Sequence, residues 1–250
     1  MCFDLDSAPP IRVIKGAAVS HRDLELEAAD GNRFAAFAAT PDESSDVGIV
    51  ILPDVRGLYR FYEELALRFA ERGFTAVAFD YFGRTAGTAK RGDDFEYMPY
   101  VQQTTPENVR DDVAACIAYL RGRGARTVFT VGFCFGGRNS WLAAAAGNDL
   151  AGAVGFYGST GERNGRPGPV QLAAQMTAPI LALQAGDDAN ITAEDNAAFD
   201  QALTDALVEH DIVIYEGAPH SFFDRKYEEF ADASADAWAR VLTFIEQHGG

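Results

Sequence analysis

Short, continuously apolar runs recur along this chain and constrain its fold more than any other feature of the sequence. Three of these runs occupy residues 47–53 (VGIVILP), 74–80 (FTAVAFD) and 127–133 (TVFTVGF). Branched and aromatic residues are frequent in these runs, which is typical of strands covered on both faces of a sheet. Further runs of this kind occupy residues 152–157, 179–185 and 211–217.

Segments with helical patterns separate the apolar runs. The predicted helices cover residues 61–73, 106–120, 136–146, 193–209 and 227–247. In the first of them, apolar side chains recur among glutamates and arginines, and a glycine ends the segment. This alternation of buried strands and helices predicts an α/β fold with a mostly parallel, doubly wound sheet.

The amino-terminal part of the chain has a different pattern. Apolar and polar residues alternate over 24–28 and 33–39, on either side of Asp30-Gly31-Asn32. This arrangement predicts an antiparallel hairpin with the Asp-Gly pair in its turn. We expect residues 1–20, which include two prolines, to form an irregular arm. Residues 21–250 should form a single domain, because no linker or change of composition divides them.

The charge balance and the cysteine count limit the expected partners and location. Thirty-seven acidic against 21 basic residues give a net charge of −16, which repels phosphate backbones, so we expect no nucleic-acid partner. The longest uncharged run, residues 167–186, contains three prolines and cannot form a membrane-spanning helix. The acidic first residues do not resemble a signal peptide, and three cysteines cannot build a disulfide framework, so we expect a cytoplasmic protein. Without a CxxC pair or an HExxH motif, we expect no metal site and no cofactor.

The strongest local signal is the segment Gly132-Phe133-Cys134-Phe135-Gly136, where a predicted strand meets a predicted helix. A nucleophile at such a junction needs a sharp turn, and glycines two residues to either side let strand and helix approach closely. The partial positive charge at the helix amino terminus favours a thiolate. We therefore predict that Cys134 is a nucleophile; the alternative is a buried structural cysteine beside packing glycines.

A cysteine nucleophile needs a base and an orienting acid. Among the four histidines, His220 alone follows a predicted core strand; the others lie upstream, at a predicted helix end or near the carboxyl terminus (His21, His210 and His248). The acid should follow the preceding strand, where Asp187 and Asp188 both fit. Spacing does not distinguish these two aspartates, one of which would bond loop backbone as a turn residue.

Taken together, these segments resemble the dienelactone hydrolase (carboxymethylenebutenolidase) family. The matching motifs are the G-x-C-x-G-G turn, the strand-end aspartate, the Pro-His-Ser-Phe loop and the segment Leu-Pro-Asp-Val-Arg-Gly. The resemblance implies an α/β-hydrolase fold without a large cap domain and without a cofactor. The family acid is the second residue after the glycine, which implies Asp188 and a Cys134–His220–Asp188 triad.

The resemblance also assigns the segment after the strand at 47–53. The family has a glutamate at the position of Asp54, where it accepts a hydrogen bond from the resting thiol and helps to activate it. Aspartate is one methylene shorter, and the alternative role for Asp54 is a helix cap. The backbone N–H groups of Val55 and Phe135 match the family oxyanion hole.

The resemblance implies a lactone substrate with a free carboxylate, and several arginines are candidates for binding it because a guanidinium suits carboxylate geometry. By resemblance, Arg84 matches one of the two carboxylate-binding arginines of the family. The position of the second is occupied by Asp224, and Arg225 follows one place later. Arg56 and Arg138 are additional basic groups near the predicted site. We expect Arg138, four residues after Cys134, to form a structural salt bridge, to pair with Asp54 or to bind substrate.

The triad candidates and the family resemblance together imply a hydrolase that opens a small carboxylate-bearing enol lactone or ester. Cys134 would attack the acyl carbon, and water activated by His220 would hydrolyse the thioester acyl-enzyme. The alternatives are a broad carboxylesterase or thioesterase, a non-catalytic ligand-binding homologue, and a redox-sensing thiol. In the broad esterase, the predicted long loops at 81–105 and 158–178 would admit other acyl groups. The expected partner is a small molecule, and the oligomeric state stays open.

Overall fold

An eight-stranded, mostly parallel sheet forms the centre of the protein. The computed structural model describes residues 7–43, 45–224 and 227–250. The strands are β1 (Val19–Glu27), β2 (Arg33–Pro41), β3 (Val47–Leu52), β4 (Thr75–Phe79), β5 (Thr127–Phe133), β6 (Gly152–Phe156), β7 (Ile180–Asp187) and β8 (His210–Pro219). Their order across the sheet is β1-β2-β4-β3-β5-β6-β7-β8. The β1–β2 and β2–β4 pairs are antiparallel and the other pairs are parallel, so the predicted fold class and amino-terminal hairpin are confirmed.

Helices cover both faces of this sheet. They are α1 (Arg60–Ala70), α2 (Gly83–Ala86), α3 (Met98–Val101), α4 (Pro106–Gly122), α5 (Phe135–Ala144), α6 (Pro169–Leu172), α7 (Ala193–Asp205) and α8 (Ala231–His248), with a 3-10 turn at Ala173–Gln175. Buried side chains of α1 and α8 belong to one apolar core, and those of α4, α5 and α7 belong to the other. No helix in the described ranges is long and apolar enough to cross a bilayer.

Strand β3 shows how the sequence builds both cores. Side chains alternate across a strand, so successive apolar residues face opposite sides of the sheet. Ile49 and Ile51 are buried in the core with α1, whereas Val50 and Leu52 are buried in the core with α4. Both faces are covered, which is why the run is apolar at every position.

Several elements differ from their predicted bounds. The helix predicted over 227–247 begins at Ala231, and the first predicted strand begins at Val19. The predicted long loops contain the short helices α2, α3 and α6, whose four residues each are too few for a periodic pattern. The helix predicted over 193–209 ends at Asp205, and Leu207 has a positive φ of 58°. His210 therefore begins β8 instead of ending a helix, and its Nδ1 lies 2.7 Å from the Val208 carbonyl oxygen.

Replacing a buried strand residue tests this account of the core. We expect Ile49→Ala to lower the free energy of unfolding by about 2–5 kcal/mol, because it removes buried methyl groups and leaves a cavity. Leu207, which is 93% exposed, supplies the control, and Leu207→Ala should change stability by less than about 0.5 kcal/mol. Urea unfolding measures both values, and equal losses would contradict the assignment.

Candidate active site

The parallel strands end at one edge of the sheet and place the candidate residues there. Cys134 stands between the end of β5 and the start of α5, with φ 55° and ψ −111°. This conformation is costly for a residue with a side chain and is typical of functional turns. The Cys134 amide donates to the Phe156 carbonyl at 3.0 Å, which joins the turn to β6. The side chain is half-buried.

Two glycines allow this turn, because at both positions neighbouring backbone occupies the space that a side chain would need. A Cβ atom on Gly132 would lie 2.0 Å from the Gly136 carbonyl oxygen. A Cβ atom on Gly136 would lie 2.0 Å from the Leu52 carbonyl oxygen at the end of β3. Close backbone contact therefore explains the G-x-C-x-G spacing and brings the start of α5 against the segment that follows β3.

His220 and Asp188 form a close pair at the same edge. His220 follows β8, and its Nδ1 lies 2.5 Å from Asp188 Oδ2. The Asp188 side chain is fully buried and its second oxygen accepts the Asn190 amide at 2.9 Å. Burial alone would raise the pKa of Asp188, but the hydrogen bonds from His220 and Asn190 outweigh burial and lower it. Asp187 is exposed, so Asp188 is the neighbour that the structure brings to His220.

The segment after β3 forms a compact turn around Asp54. One Asp54 oxygen accepts the Arg56 amide at 2.9 Å, and the other lies 3.3 Å from Arg56 Nε. The Asp54 amide donates to the Tyr62 hydroxyl at 2.8 Å. Helix α1 begins after Tyr59, so the alternative of Asp54 as a helix cap is wrong. Arg56 is buried, and its Cζ atom lies 5.5 Å from the centroid of the Tyr59 ring.

Tyr81 connects this turn to the cysteine segment. Its hydroxyl donates to the Pro53 carbonyl at 2.7 Å, and its ring lies 5.1 Å from that of Phe135. Complete burial raises the pKa of Tyr81 well above its usual value, and the negative charge of Asp54 adds to this effect. Tyr81 therefore connects the turn after β3 to the first residue of α5.

The expected oxyanion donors lie on these adjoining segments. Phe135 is the first residue of α5, where a backbone N–H has no acceptor within its own helix. Val55 is half-buried in the turn after β3, next to the carbonyl groups that contact Gly136. The start of α5, which carries Phe135, therefore lies against the segment that leads to Val55.

Arg84 is held by two carboxylates, which disagrees with the expectation that it binds a substrate carboxylate. Its Nε lies 2.9 Å from Asp30 in the hairpin turn. Its Nη1 lies 2.9 and 2.7 Å from the two oxygens of Asp112 on α4. Burial raises the pKa of Asp112 to about 6, against the attraction of Arg84. The guanidinium therefore ties the hairpin and α2 to α4.

Arg138 forms none of the expected salt bridges among the described residues. Its Nη1 donates to the carbonyl groups of Ser159 and Gly161 at 3.2 and 2.5 Å, and its Nη2 donates to that of Pro167 at 3.2 Å. Burial lowers the pKa of Arg138 to about 10. The prediction of pairing with Asp54 is wrong, because this face of α5 lies against the segment after β6.

Arg225 is the remaining arginine candidate, and Asp224 precedes it in the chain. Arg225 lies outside the described residues. Asp224 is buried and accepts a hydrogen bond from the Tyr157 hydroxyl at 2.7 Å. At this position the chain therefore carries a carboxylate that is directed into the protein.

Asp80 was missed by the sequence analysis. This buried carboxylate follows β4 and accepts the amides of Leu58 and Phe82 at 3.2 and 3.1 Å. It also accepts Arg91 Nη2 at 2.7 Å. Burial raises the pKa of Asp80, and Arg91 opposes that effect. The sequence signal that could have identified Asp80 is its position directly after a buried strand. In the structure, Asp80 holds the turn that contains Asp54.

The strand order, the strained cysteine turn after β5 and the histidine after β8 define the class of protein as an α/β-hydrolase. Within that class, the model of the dienelactone hydrolase family matches residues 34–249, and the chain belongs to this family. It is accordingly a hydrolase that acts on carboxylic ester bonds. The family resemblance stated from the sequence is confirmed.

Individual relatives agree with this assignment. A protein of Escherichia coli (strain K12) named "Putative carboxymethylenebutenolidase" is 30% identical over 233 residues, covering 88% of this chain and 84% of that protein. The structure of a "Putative Dienelactone Hydrolase" from Klebsiella pneumoniae has a TM-score of 0.80 at 24% identity and covers 92% of this chain and 99% of the other. A dienelactone hydrolase-like promiscuous phosphotriesterase from metagenomic libraries has a TM-score of 0.79 at 22% identity, with coverages of 93% and 100%. Both structures share the fold.

The ion pairs of Arg84 predict the effect of replacing it. We expect Arg84→Gln to lower the free energy of unfolding by about 3 kcal/mol, because it leaves the buried Asp112 carboxylate without its cation. The kcat/KM values for an anionic and a neutral ester should change by the same factor. A rise in KM confined to the anionic ester would instead restore Arg84 as a substrate-binding residue.

The raised pKa of Asp112 predicts a pH dependence of stability. A carboxyl whose pKa rises on folding, here from 3.8 to about 6, holds its proton more tightly in the folded state. Its stabilising contribution is complete below about pH 4 and is lost as the pH rises through about 6. The free energy of unfolding of the wild type should fall relative to Asp112→Asn by up to about 3 kcal/mol between pH 4 and pH 7.

Urea unfolding at several pH values measures this difference between the two proteins. Asp111→Asn removes a charge from the adjacent position of α4 and serves as the matched control. Parallel stability curves for the wild type and Asp112→Asn would contradict the prediction.

Proposed function

We propose that this chain hydrolyses small enol lactones or esters through a Cys134–His220–Asp188 triad. The observation that carries the proposal is the 2.5 Å contact between His220 Nδ1 and buried Asp188, at the sheet edge where Cys134 immediately precedes α5. The lowered pKa of Asp188 keeps its carboxylate ionised at neutral pH. An ionised acceptor favours the tautomer with a proton on Nδ1, which leaves Nε2 to exchange protons with the reacting groups.

The first half of the reaction acylates the cysteine. His220 Nε2 takes the thiol proton as Cys134 Sγ bonds to the acyl carbon, and the electrons of the carbonyl move to its oxygen. The C–O bond to the leaving oxygen then breaks, and that oxygen takes the proton from Nε2. In a lactone, the freed enol stays attached to the acyl group. The proposed donors to the oxyanion are the backbone N–H groups of Val55 and Phe135.

The second half returns the free enzyme. His220 Nε2 takes a proton from water as the water oxygen bonds to the thioester carbon. The C–S bond breaks, and the sulfur takes the proton back to give the resting thiol and a carboxylic acid. Thiolate leaves a tetrahedral adduct readily, so the scheme suits substrates whose own leaving oxygen is activated, as in enol lactones.

A broad carboxylesterase or thioesterase activity is the second candidate function. It is favoured by the placement of Arg84, which is occupied by Asp30 and Asp112. Asp224 also favours the broad esterase, because this buried side chain supplies no positive charge near His220. Under this alternative the triad is the same, and the substrate need not carry a carboxylate.

Hydrolysis by triad variants tests the proposal. We expect Cys134→Ala to abolish turnover of dienelactone and p-nitrophenyl acetate without unfolding the chain, because the nucleophile is lost. Asp188→Asn should lower kcat at least about 100-fold, since an amide disfavours the required histidine tautomer. Asp187→Asn is the matched control, and its exposed side chain should leave kcat within about threefold.

Steady-state kinetics with both substrates distinguish the outcomes. Turnover of dienelactone that is lost in Cys134→Ala supports the lactone reaction, whereas turnover of the neutral ester alone supports the second candidate. Undiminished activity in Cys134→Ala would remove the nucleophile assignment. A folded wild type that hydrolyses neither substrate would favour a ligand-binding homologue.

A further inference from the structure

A buried tyrosine–aspartate pair lies behind the imidazole of His220. Tyr157 follows β6 and is fully buried, and its ring centroid lies 4.8 Å from that of His220. Its hydroxyl donates to Asp224 Oδ2 at 2.7 Å. Asp224 is 1% exposed and stands four residues after His220 on the same turn. The pair thus connects the end of β6 to the histidine segment.

The histidine segment is tightly folded around this contact. Ser221 has a positive φ of 67°, which is unfavourable for a residue with a side chain. Its carbonyl accepts the Asp224 amide at 3.2 Å, and Ser234 Oγ of α8 donates to the Phe222 carbonyl at 3.0 Å. A strained turn persists only where its surroundings hold it. Tyr157 supplies one of these restraints directly beside the catalytic candidate.

The chemical nature of the pair indicates more than packing. Tyr157 lies within an aromatic cluster, with the ring centroids of Phe133, Phe156 and Phe222 at 6.4, 6.0 and 5.7 Å from its own. Burying a polar pair in such a cluster costs desolvation, and an apolar pair of similar volume is often at least as stable. A buried hydrogen bond does, however, hold two groups in one geometry, which apolar contacts do less well.

We propose that Tyr157 and Asp224 are positioning residues that hold the His220 imidazole for proton transfer. The inference rests on the proposed function, in which His220 Nε2 serves both the sulfur and water. Asp188 contacts Nδ1, while the Tyr157 ring packs against the imidazole with a centroid distance of 4.8 Å and an interplanar angle of 54°. Productive geometry tolerates displacements of only about 0.5 Å, so two restraints from different directions are needed.

The test compares Tyr157→Phe with a matched variant elsewhere. Tyr157→Phe keeps the ring beside His220 and removes only the hydroxyl. We expect kcat to fall roughly tenfold, which corresponds to the loss of one hydrogen bond, while KM stays within about twofold. Tyr215→Phe removes a similar hydroxyl, which donates to exposed Asp236 at 2.8 Å, and should leave both constants unchanged. Each kcat is expressed per folded molecule, with the folded fraction measured by urea unfolding.

A second variant and a spectroscopic measurement separate positioning from stability. Asp224→Asn keeps an oxygen that accepts from Tyr157 and should retain kcat within about threefold, whereas Asp224→Leu should match Tyr157→Phe. Proton NMR should show a far-downfield signal of the His220 Nδ1–H proton that is absent from His220→Gln. Its exchange with water should be roughly tenfold faster in Tyr157→Phe and unchanged in Tyr215→Phe.

The outcomes of these experiments distinguish failure of the positioning role from failure of the proposed hydrolase function. Wild-type kcat together with wild-type proton exchange in folded Tyr157→Phe would overturn the positioning role. If the wild type hydrolyses neither ester nor lactone, the proposed function fails, and the exchange measurement still decides whether Tyr157 holds His220. Equal effects of Tyr157→Phe and Tyr215→Phe would reduce the pair to general stabilisation and also overturn the inference.

Discussion

Close backbone contact between β5, α5 and β3 is the constraint on which the rest of this site depends. Without side chains at Gly132 and Gly136, the chain can turn through Cys134 and return against the Leu52 carbonyl. The same contact brings the start of α5 to the turn that contains Asp54 and Val55. A methyl group at either glycine would separate the two segments, and the candidate nucleophile would no longer lie beside the candidate oxyanion donors.

Buried carboxylates organise the edge of the sheet around this contact. Asp54 closes the turn after β3, Asp80 holds that turn from β4, and Asp188 orients His220 after β8. Each accepts backbone N–H groups or cationic side chains, because an unpaired charge in this position would cost several kcal/mol. Their different partners give them different uses: Asp80 is held by Arg91, whereas Asp188 faces a histidine that can exchange protons.

Long-range pairing decides what each arginine does. Arg84 and Arg138 both follow strands that end at the active-site edge, and their positions in the sequence suggested contacts with substrate or with Asp54. Arg84 instead pairs with Asp112, 28 residues away, and Arg138 donates to carbonyl groups 21 to 29 residues away. Sequence position places a residue near an edge, but the direction of a long side chain depends on the helices and loops that pack beside it.

The sequence by itself determined the strands, the long helices, the family and the candidate cysteine and histidine. These features depend on local periodicity, on glycine spacing and on the rule that parallel strands end at one edge, so a single stretch of chain contains the information. Residue spacing left Asp187 and Asp188 open and the family resemblance implied Asp188, which the tertiary structure places against His220 while Asp187 faces solvent. Only the tertiary structure decided that Tyr157 reaches Asp224 across 67 residues. Such contacts depend on the twist of neighbouring strands and on packing between distant segments. No local pattern in the sequence encodes either.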